Sequence, residues 1–347
     1  MKKRMISILT AAVVMTAAIL AGCGANIEEN QKNRYQATFL TLFDTVTTIV
    51  GYADSEEAFK EAAQKIHDEL LEYHQLFDIY NDYEGINNIK TINDQAGIAP
   101  VTVDRRIIDL LLESREFYEA TDGKINVAMG SVLSLWHDVR EEGIDDPENA
   151  QLPDMEALKE AALHTSFDTV VIDEAASTVY LSDAAQSLDV GAIAKGWSVE
   201  QVCENAPSGL LVSVGGNVCA TGPKPENDTP WVVGIQDPDD QDAYLHTIYL
   251  SKGSVVTSGD YQRYYMVDGK IYHHIIDPDT LFPAAYWQSV SIVCEDSGVA
   301  DALSTALFVL PMEEGLALLE EYDACAMWVD LDGEIYYSPG FEELIRT

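Results

Sequence analysis

Cysteine is scarce, with five in 347 residues, and no two stand as a CxxC pair. That excludes a zinc ribbon and a CxxC redox motif. Positive charge is scarce too: 20 Lys+Arg face 59 Asp+Glu, a net charge of −39. A surface this acidic repels phosphate backbones, so nucleic acid is excluded as a partner, and anionic membrane surfaces do not attract it. A phosphate-bearing ligand would need a metal ion or a helix dipole to hold it. There is no 20–50-residue repeat, no low-complexity tract and no acidic tail, which excludes solenoids and propellers and spreads the negative charge over a solvated surface. What is present is core material: 47% hydrophobic residues, with 17 Tyr, 9 Phe and 5 Trp. Disorder is excluded for most of the chain, and the length implies about two lobes of ordinary domain size.

An uncharged apolar run with a basic flank lies at the N-terminus. Lys2, Lys3 and Arg4 precede Met5 to Leu20, a run short of the ~20 residues a spanning helix needs and suited to a signal-peptide core. LAGC, ending at Cys23, resembles the bacterial lipobox, in which the Cys is lipidated and becomes the first mature residue. The alternative is an uncleaved anchor helix with an incidental Cys. Both place the body outside the cytoplasm and tethered to a membrane. The expected organisation is a signal peptide over 1–22, a lipidated Cys and polar tether over 23–36, and one catalytic domain over 37–347. Cleavage removes three positive charges and leaves −42. Cys203, Cys219, Cys294 and Cys325 remain; the last three lie in apolar runs and read as small buried residues, with pairing left open.

Along the body, 37–52 is rich in β-branched and aromatic residues and reads as a strand region. Ser55 caps a helix whose apolar stripe is Ala58, Ala62, Ile66, Leu70 and Phe77. Asp104 opens a second helix, and 138–153 reads as an acidic surface excursion. From Phe167 short strands dominate, interrupted by helices near Gly191 and Val299. This pattern predicts an α+β fold of mixed, largely antiparallel sheets with packed helices in two intimately associated lobes.

Four constellations could carry chemistry. LDVGAIAKGW, from Leu188, puts a carboxylate, glycines and Lys195 where a strand passes into a helix, a place for a phosphate or simply a helix start with a surface Lys. VSVGGN, from Val212, runs a strand into a Gly-Gly turn, read either as a hairpin or as a close approach to ligand. In YHHIIDP, from Tyr272, adjacent histidines face opposite sides of a strand, read either as ordinary strand histidines or as one general base in a cleft, with the Asp277 turn available to orient it. Asp301 and Thr305 stand at i and i+4 on a helix, oxygen donors suited to Mg²⁺; the plainer reading makes Asp301 a helix cap.

Together these stretches resemble the ApbE family, the FAD:protein FMN transferases. The resemblance rests on FDT at Phe43, TDGKINVAMGSVLSLW at Thr121, LDVGAIAKGW at Leu188, SVGGNVCATGPKP at Ser213, VVTSGDY at Val255, HIIDPDT at His274 and ADALSTALFVL at Ala300. It implies an enzyme that binds FAD and Mg²⁺ and moves FMN to a Thr or Ser hydroxyl of a target protein through a phosphoester bond, releasing AMP. It implies metal ligation by Asp301, Thr305 and the Ala192 carbonyl. FAD contacts are implied at Phe43, Tyr80, Lys124, Ile125, Asn126, Asp189, Lys195 and Ile275, with His274 as the base. Phe43 stands where the family commonly has Met, Lys124-Ile125-Asn126 replaces a small-aromatic-Asp run, and Leu281 stands where Gly is usual. No stretch matches the family's acceptor pattern, Asp-x-x-Ser/Thr-Gly/Ser-Ala-Thr, so self-flavinylation is not expected.

The leading expectation is therefore a lipid-anchored, extracytoplasmic transferase acting on a membrane redox subunit. Two alternatives use the same residues. One is a Mg²⁺-dependent FAD pyrophosphatase yielding FMN and AMP. The other is a non-catalytic flavin-binding lipoprotein.

Overall fold

The computed structural model describes residues 33–240 and 242–347. The expected signal peptide over 1–22 and the expected lipidation site, Cys23, lie outside the described residues. In chain order the elements are β1 (Asn33–Leu42), β2 (Thr45–Ala53), α1 (Glu56–Phe77), α2 (Ile89–Asp94), β3 (Val101–Thr102), α3 (Arg105–Ala120), α4 (Gly130–Asp145), α5 (Met155–Ala162), β4 (Val170–Asp173) and β5 (Thr178–Leu181). They continue with α6 (Ala194–Glu204), β6 (Leu210–Val214), β7 (Asn217–Ala220), β8 (Trp231–Gln236), β9 (Tyr244–Leu250), β10 (Gly253–Gly259), β11 (Tyr264–Val267) and β12 (Lys270–His273). The last are β13 (Trp287–Cys294), α7 (Ser297–Val309), α8 (Met312–Glu321), β14 (Cys325–Asp330) and β15 (Ile335–Tyr337).

An antiparallel eight-stranded sheet, β1-β2-β6-β7-β10-β13-β14-β15, organises the chain. Alternation along its strands sends Ile49, Val212, Val214, Val256 and Ile292 to a face covered by α1, α6 and α7. The other face packs Val255, Met327 and Val329 against the β8–β9 hairpin and Phe341. A smaller lobe joins α4, α5 and the β11–β12 hairpin around Trp136, Leu158 and Tyr265. The α+β class is as the sequence implies.

Three local readings change. The segment 37–52 is a hairpin: Phe43 and Asp44 at its tip have φ of 52° and 54°, both left-handed as a two-residue hairpin turn of type I′ requires. Its ladder starts at Asn33↔Ala53, so the end of the expected tether, 33–36, is strand. Ser55 does cap α1, accepting from the Ala58 amide at 3.1 Å, but the buried stripe is Phe59, Ala63, Ile66, Leu70, Tyr73 and Phe77. The largest apolar side chain of the first turn sets the inward face, leaving Ala58 exposed and Ala62 half-buried. The expected excursion 138–153 is largely helix: α4 runs on to Asp145, with Trp136 and Gly143 buried. The four cysteines of the described residues are free, with Cys203, Cys219 and Cys294 buried and Cys325 half-buried. Among the described residues no helix is long and apolar enough to cross a membrane.

Candidate active site

A cavity of about 540 Å³ opens between the α6/α7 side of the main sheet and the small lobe. Two adjacent hairpin tips form one rim. Gly215 and Gly216, between β6 and β7, have φ of 55° and 93°, and the Gly215 amide donates to the Val46 carbonyl at 3.2 Å. A Cβ on Gly215 would lie 2.6 Å from Thr45 Oγ1, so this tip admits glycine only. The Gly-Gly stretch is thus a hairpin turn and a cavity wall at once.

The floor is made where α6 crosses α7. Asp301 is buried and Lys195 half-buried. Lys195 Nζ donates to Asn217 Oδ1 at 3.1 Å and to Asp301 Oδ1 at 3.4 Å. Asp301 Oδ2 accepts from the Gly196 amide at 2.8 Å. The plainer reading of Asp301 as a helix cap fails, because Asp296 caps α7, accepting from Val299 N at 2.9 Å. Thr305 and Ala192 line the same cavity. This donor set, one carboxylate, one hydroxyl and one carbonyl, is all oxygen. It fits a hard cation that keeps waters and takes its remaining ligands from substrate phosphates. Among the described residues there is no group of three or more His, Cys, Asp or Glu that could hold a metal ion.

The adjacent histidines divide as the strand period requires. His273 is structural: its Nε2 meets the Ala284 carbonyl at 2.9 Å and its Nδ1 accepts from Ile275 N at 3.2 Å. His274 lines the cavity, and its buried Nδ1 has no partner. Burial, with the charges of Arg263, His273, Arg140 and Lys195 around it, lowers its pKa to about 3. The imidazole is therefore neutral and able to accept a proton. Asp277 does not orient it. Its carboxylate instead accepts from Lys124 Nζ at 3.0 Å and Asp279 N at 3.1 Å.

The other implied contacts distribute unevenly. Tyr80, Lys124, Ile125, Asn126, Asp189 and Ile275 all reach the cavity. Burial pushes the Tyr80 phenol up to about 12, and burial also raises the Asp189 carboxyl, whose Oδ1 accepts from Gly191 N at 2.9 Å. Lys124 is engaged by Asp277 and also by Asp279, at 2.8 Å, so its charge is already matched. Asn126 spends its amide on the Thr165 carbonyl and the Ala128 amide, both at 2.9 Å. Phe43 is outside the cavity lining. Its ring stands edge-on to His74 at 5.5 Å, because the turn that presents Asp44 and Thr45 to the cavity sends Phe43 the other way. Leu281 has φ 59°, the left-handed backbone that explains the family's usual glycine there.

Two cations of the wall are absent from the motif reading. Arg140 pairs with His137 Nδ1 at 2.8 Å on a helix that the acidic composition of 138–153 concealed. The Arg263 guanidinium has no hydrogen-bond or ion-pair partner among the described residues, although the backbone carbonyl accepts from the His274 amide at 3.1 Å. In a chain with almost three acids per base, an unmatched guanidinium in a cavity is the available signal.

Oxygen donors, a lysine braced between Asn217 and Asp301, and a neutral imidazole in one nucleotide-sized cavity form a site for phosphoryl-group chemistry. The chain belongs to the ApbE family, whose profile matches residues 43–328. A Treponema pallidum protein named FAD:protein FMN transferase is 38% identical over 279 residues, 75% of this chain and 75% of that protein. A Klebsiella pneumoniae protein of the same name is 32% identical over 285 residues, 78% of this chain and 86% of that one. Of solved structures, the ApbE protein of Thermotoga maritima superposes with a TM-score of 0.80 at 32% identity, covering 91% of this chain and 100% of that one. The apo form of Pseudomonas stutzeri flavinyl transferase ApbE gives 0.75 at 25% identity, over 92% and 98%.

Proposed function

We propose that this chain is an FAD:protein FMN transferase, moving FMN from FAD to a Thr or Ser hydroxyl of a target protein with release of AMP. The observation that carries this reading is Lys195 held between Asn217 and Asp301 in the same cavity as the neutral His274. The acceptor oxygen forms a bond to the FMN phosphorus, and the phosphoanhydride P–O bond breaks with its electron pair leaving on AMP. The hydroxyl proton passes to the His274 imidazole, since a neutral hydroxyl is a poor nucleophile. Lys195 and Arg263 put positive charge beside the bridging phosphates. Asp301, Thr305 and the Ala192 carbonyl are the residues that would hold Mg²⁺, which would supply charge neutralisation for the phosphates when bound. With the lipobox at Cys23, the reading places the enzyme on the outer face of the cell membrane, modifying a membrane redox subunit.

The test uses the chain from Gly24 with FAD, Mg²⁺ and a domain carrying the acceptor pattern. Covalent flavin fluorescence on the denatured acceptor and released AMP are recorded together. Equal amounts of both are expected. AMP without labelled acceptor would replace transfer with FAD hydrolysis, and FAD binding without either product would leave a flavin-binding protein.

A further inference from the structure

Residues 187–193 belong to no strand or helix, yet this segment brings Asp189 to the cavity. Its backbone is fixed from two sides. On one, the Gly130 amide donates to the Ser187 carbonyl at 3.0 Å and the Asp189 amide donates to the Val127 carbonyl at 2.8 Å. On the other, a single side chain serves both polar groups of Leu188. Asn93 Oδ1 accepts from the Leu188 amide at 2.7 Å, and Asn93 Nδ2 donates to the Leu188 carbonyl at 2.9 Å. Leu188 is buried, so neither group turns to water. A side-chain amide offers the same donor and acceptor as a backbone peptide, and Asn93 stands in for the neighbouring strand that this segment lacks.

Asn93 is itself held. It lies in the last turn of α2, whose Ile89 and Ile92 are buried in the core. The helix is capped by Asn88, which accepts from the Thr91 amide at 3.0 Å. Asn88 Nδ2 also donates to the Asn81 carbonyl at 2.8 Å, and the Lys90 amide donates to the Asp78 carbonyl at 3.0 Å. Those two bonds fix the loop that presents Tyr80. One short helix therefore grips the loop of Tyr80 at one end and the segment of Asp189 at the other. The two groups are near neighbours: burial, then the Asp189 charge, raises the Tyr80 phenol.

We propose that Asn93 is a positioning residue of the active site, setting through the Leu188 backbone where the Asp189 carboxylate stands in the cavity. The means is alternation. Along an extended segment successive side chains leave on opposite sides, so fixing both polar groups of the buried Leu188 fixes the direction in which Asp189 departs. Asp189 Oδ1 then accepts from the Gly191 amide at 2.9 Å, which ties the carboxylate's orientation to the same backbone. The proposal rests on the reading of the cavity as an FAD site.

The test uses the full chain and two substitutions. Asn93→Leu removes both hydrogen bonds at similar volume, and Asn93→Asp keeps the acceptor for the Leu188 amide. Each is made alone and together with Asp189→Ala. FAD dissociation constants are read from flavin fluorescence, and backbone hydrogen exchange is followed across 187–193. Asn93→Leu is expected to weaken FAD binding tenfold or more and to speed exchange of the Leu188 amide tenfold or more, with Asn93→Asp between it and wild type in both. In the Asp189→Ala background the same substitution should cost less than threefold in FAD affinity, because the group it positions is gone. Losses that simply multiply overturn the proposal. So does unchanged exchange at Leu188, or a lower melting temperature with FAD affinity intact. Wild type that binds no FAD would remove the transfer reading, and the exchange result would then decide the positioning by itself.

Discussion

Gly196 and Asp301 touch where α6 crosses α7. The Gly196 amide donates to Asp301 Oδ2 at 2.8 Å, and a Cβ built on Gly196 would stand 2.3 Å from the Asp301 Cβ and from the Ser297 carbonyl oxygen. The absence of a side chain lets the helices close until a backbone amide can aim the carboxylate.

Gly196→Ala tests that closure. Both contacts are far inside normal limits and one is to backbone, so the helices must part, at about 1–3 kcal/mol by the usual cost of overpacking. The expected outcome is a melting temperature several degrees lower, together with weaker Mg²⁺ dependence as Asp301 shifts. Calorimetry and turnover against Mg²⁺ concentration check it; an unchanged melting point would mean the helices are not in contact there.

Asp301→Asn keeps the shape and an acceptor for Gly196 but removes the charge. The variant is expected to fold, to bind FAD, and to lose most Mg²⁺-dependent turnover. Near-normal rates at wild-type Mg²⁺ concentrations would sink the metal assignment.

His274→Ala is expected to slow transfer by roughly 10²–10⁴-fold, the range for a lost general base, while leaving FAD affinity close to wild type. Equal losses in both would make the histidine structural. The wild-type pH profile carries a second signature. The neutral imidazole is the active form, so the rate falls as pH drops through its pKa, which burial and then the cations around it lower to about 3. FAD's pyrophosphate offsets those cations and raises it. The acid limb of kcat should therefore lie at higher pH than that of kcat/KM.

Glu113 and Glu200 lie behind the site, on α3 and α6. Glu113 accepts from the Trp197 indole at 2.9 Å, and Glu200 accepts from Ser297 N at 2.6 Å. Burial, then Asp296, raises Glu113 to about 7 from 4.5; burial, then Asp296 and Glu204, raises Glu200 to about 7. The folded state binds these protons more tightly than the unfolded chain, so stability falls as pH rises from about 4.5 to about 7 and is flat above. Glu113→Gln keeps an acceptor for Trp197 and should raise the melting temperature at pH 8 more than at pH 5. Equal shifts at both pH values would show that the carboxyl ionises normally.

Much of the site is legible in the sequence because its groups sit on short local patterns. The spacing of Asp301 and Thr305 needs only a helix, and the split roles of His273 and His274 need only a strand. What failed was assignment that depends on neighbours. Phe43 belongs to a motif, yet a left-handed turn carries it away from the cavity. Asp277 is near His274 in sequence, yet a lysine 153 residues away takes its carboxylate. Arg140 was hidden because acidic composition on the outer face of α4 resembles a loop when its inner partners are unknown.

The sequence by itself determined the α+β class, the family, the helices capped by Ser55 and Asp104, and the residue types that could hold phosphate and metal. Those follow from periodicity, capping and motif, all local properties of the chain. Only the tertiary structure decided that Lys195, Asn217, His274 and Asp301 face one cavity, that Arg263 stands there unmatched, and that Asn93 holds the Leu188 backbone. These depend on which strands pair and how closely α6 and α7 approach, contacts between residues far apart in the chain that no local pattern encodes.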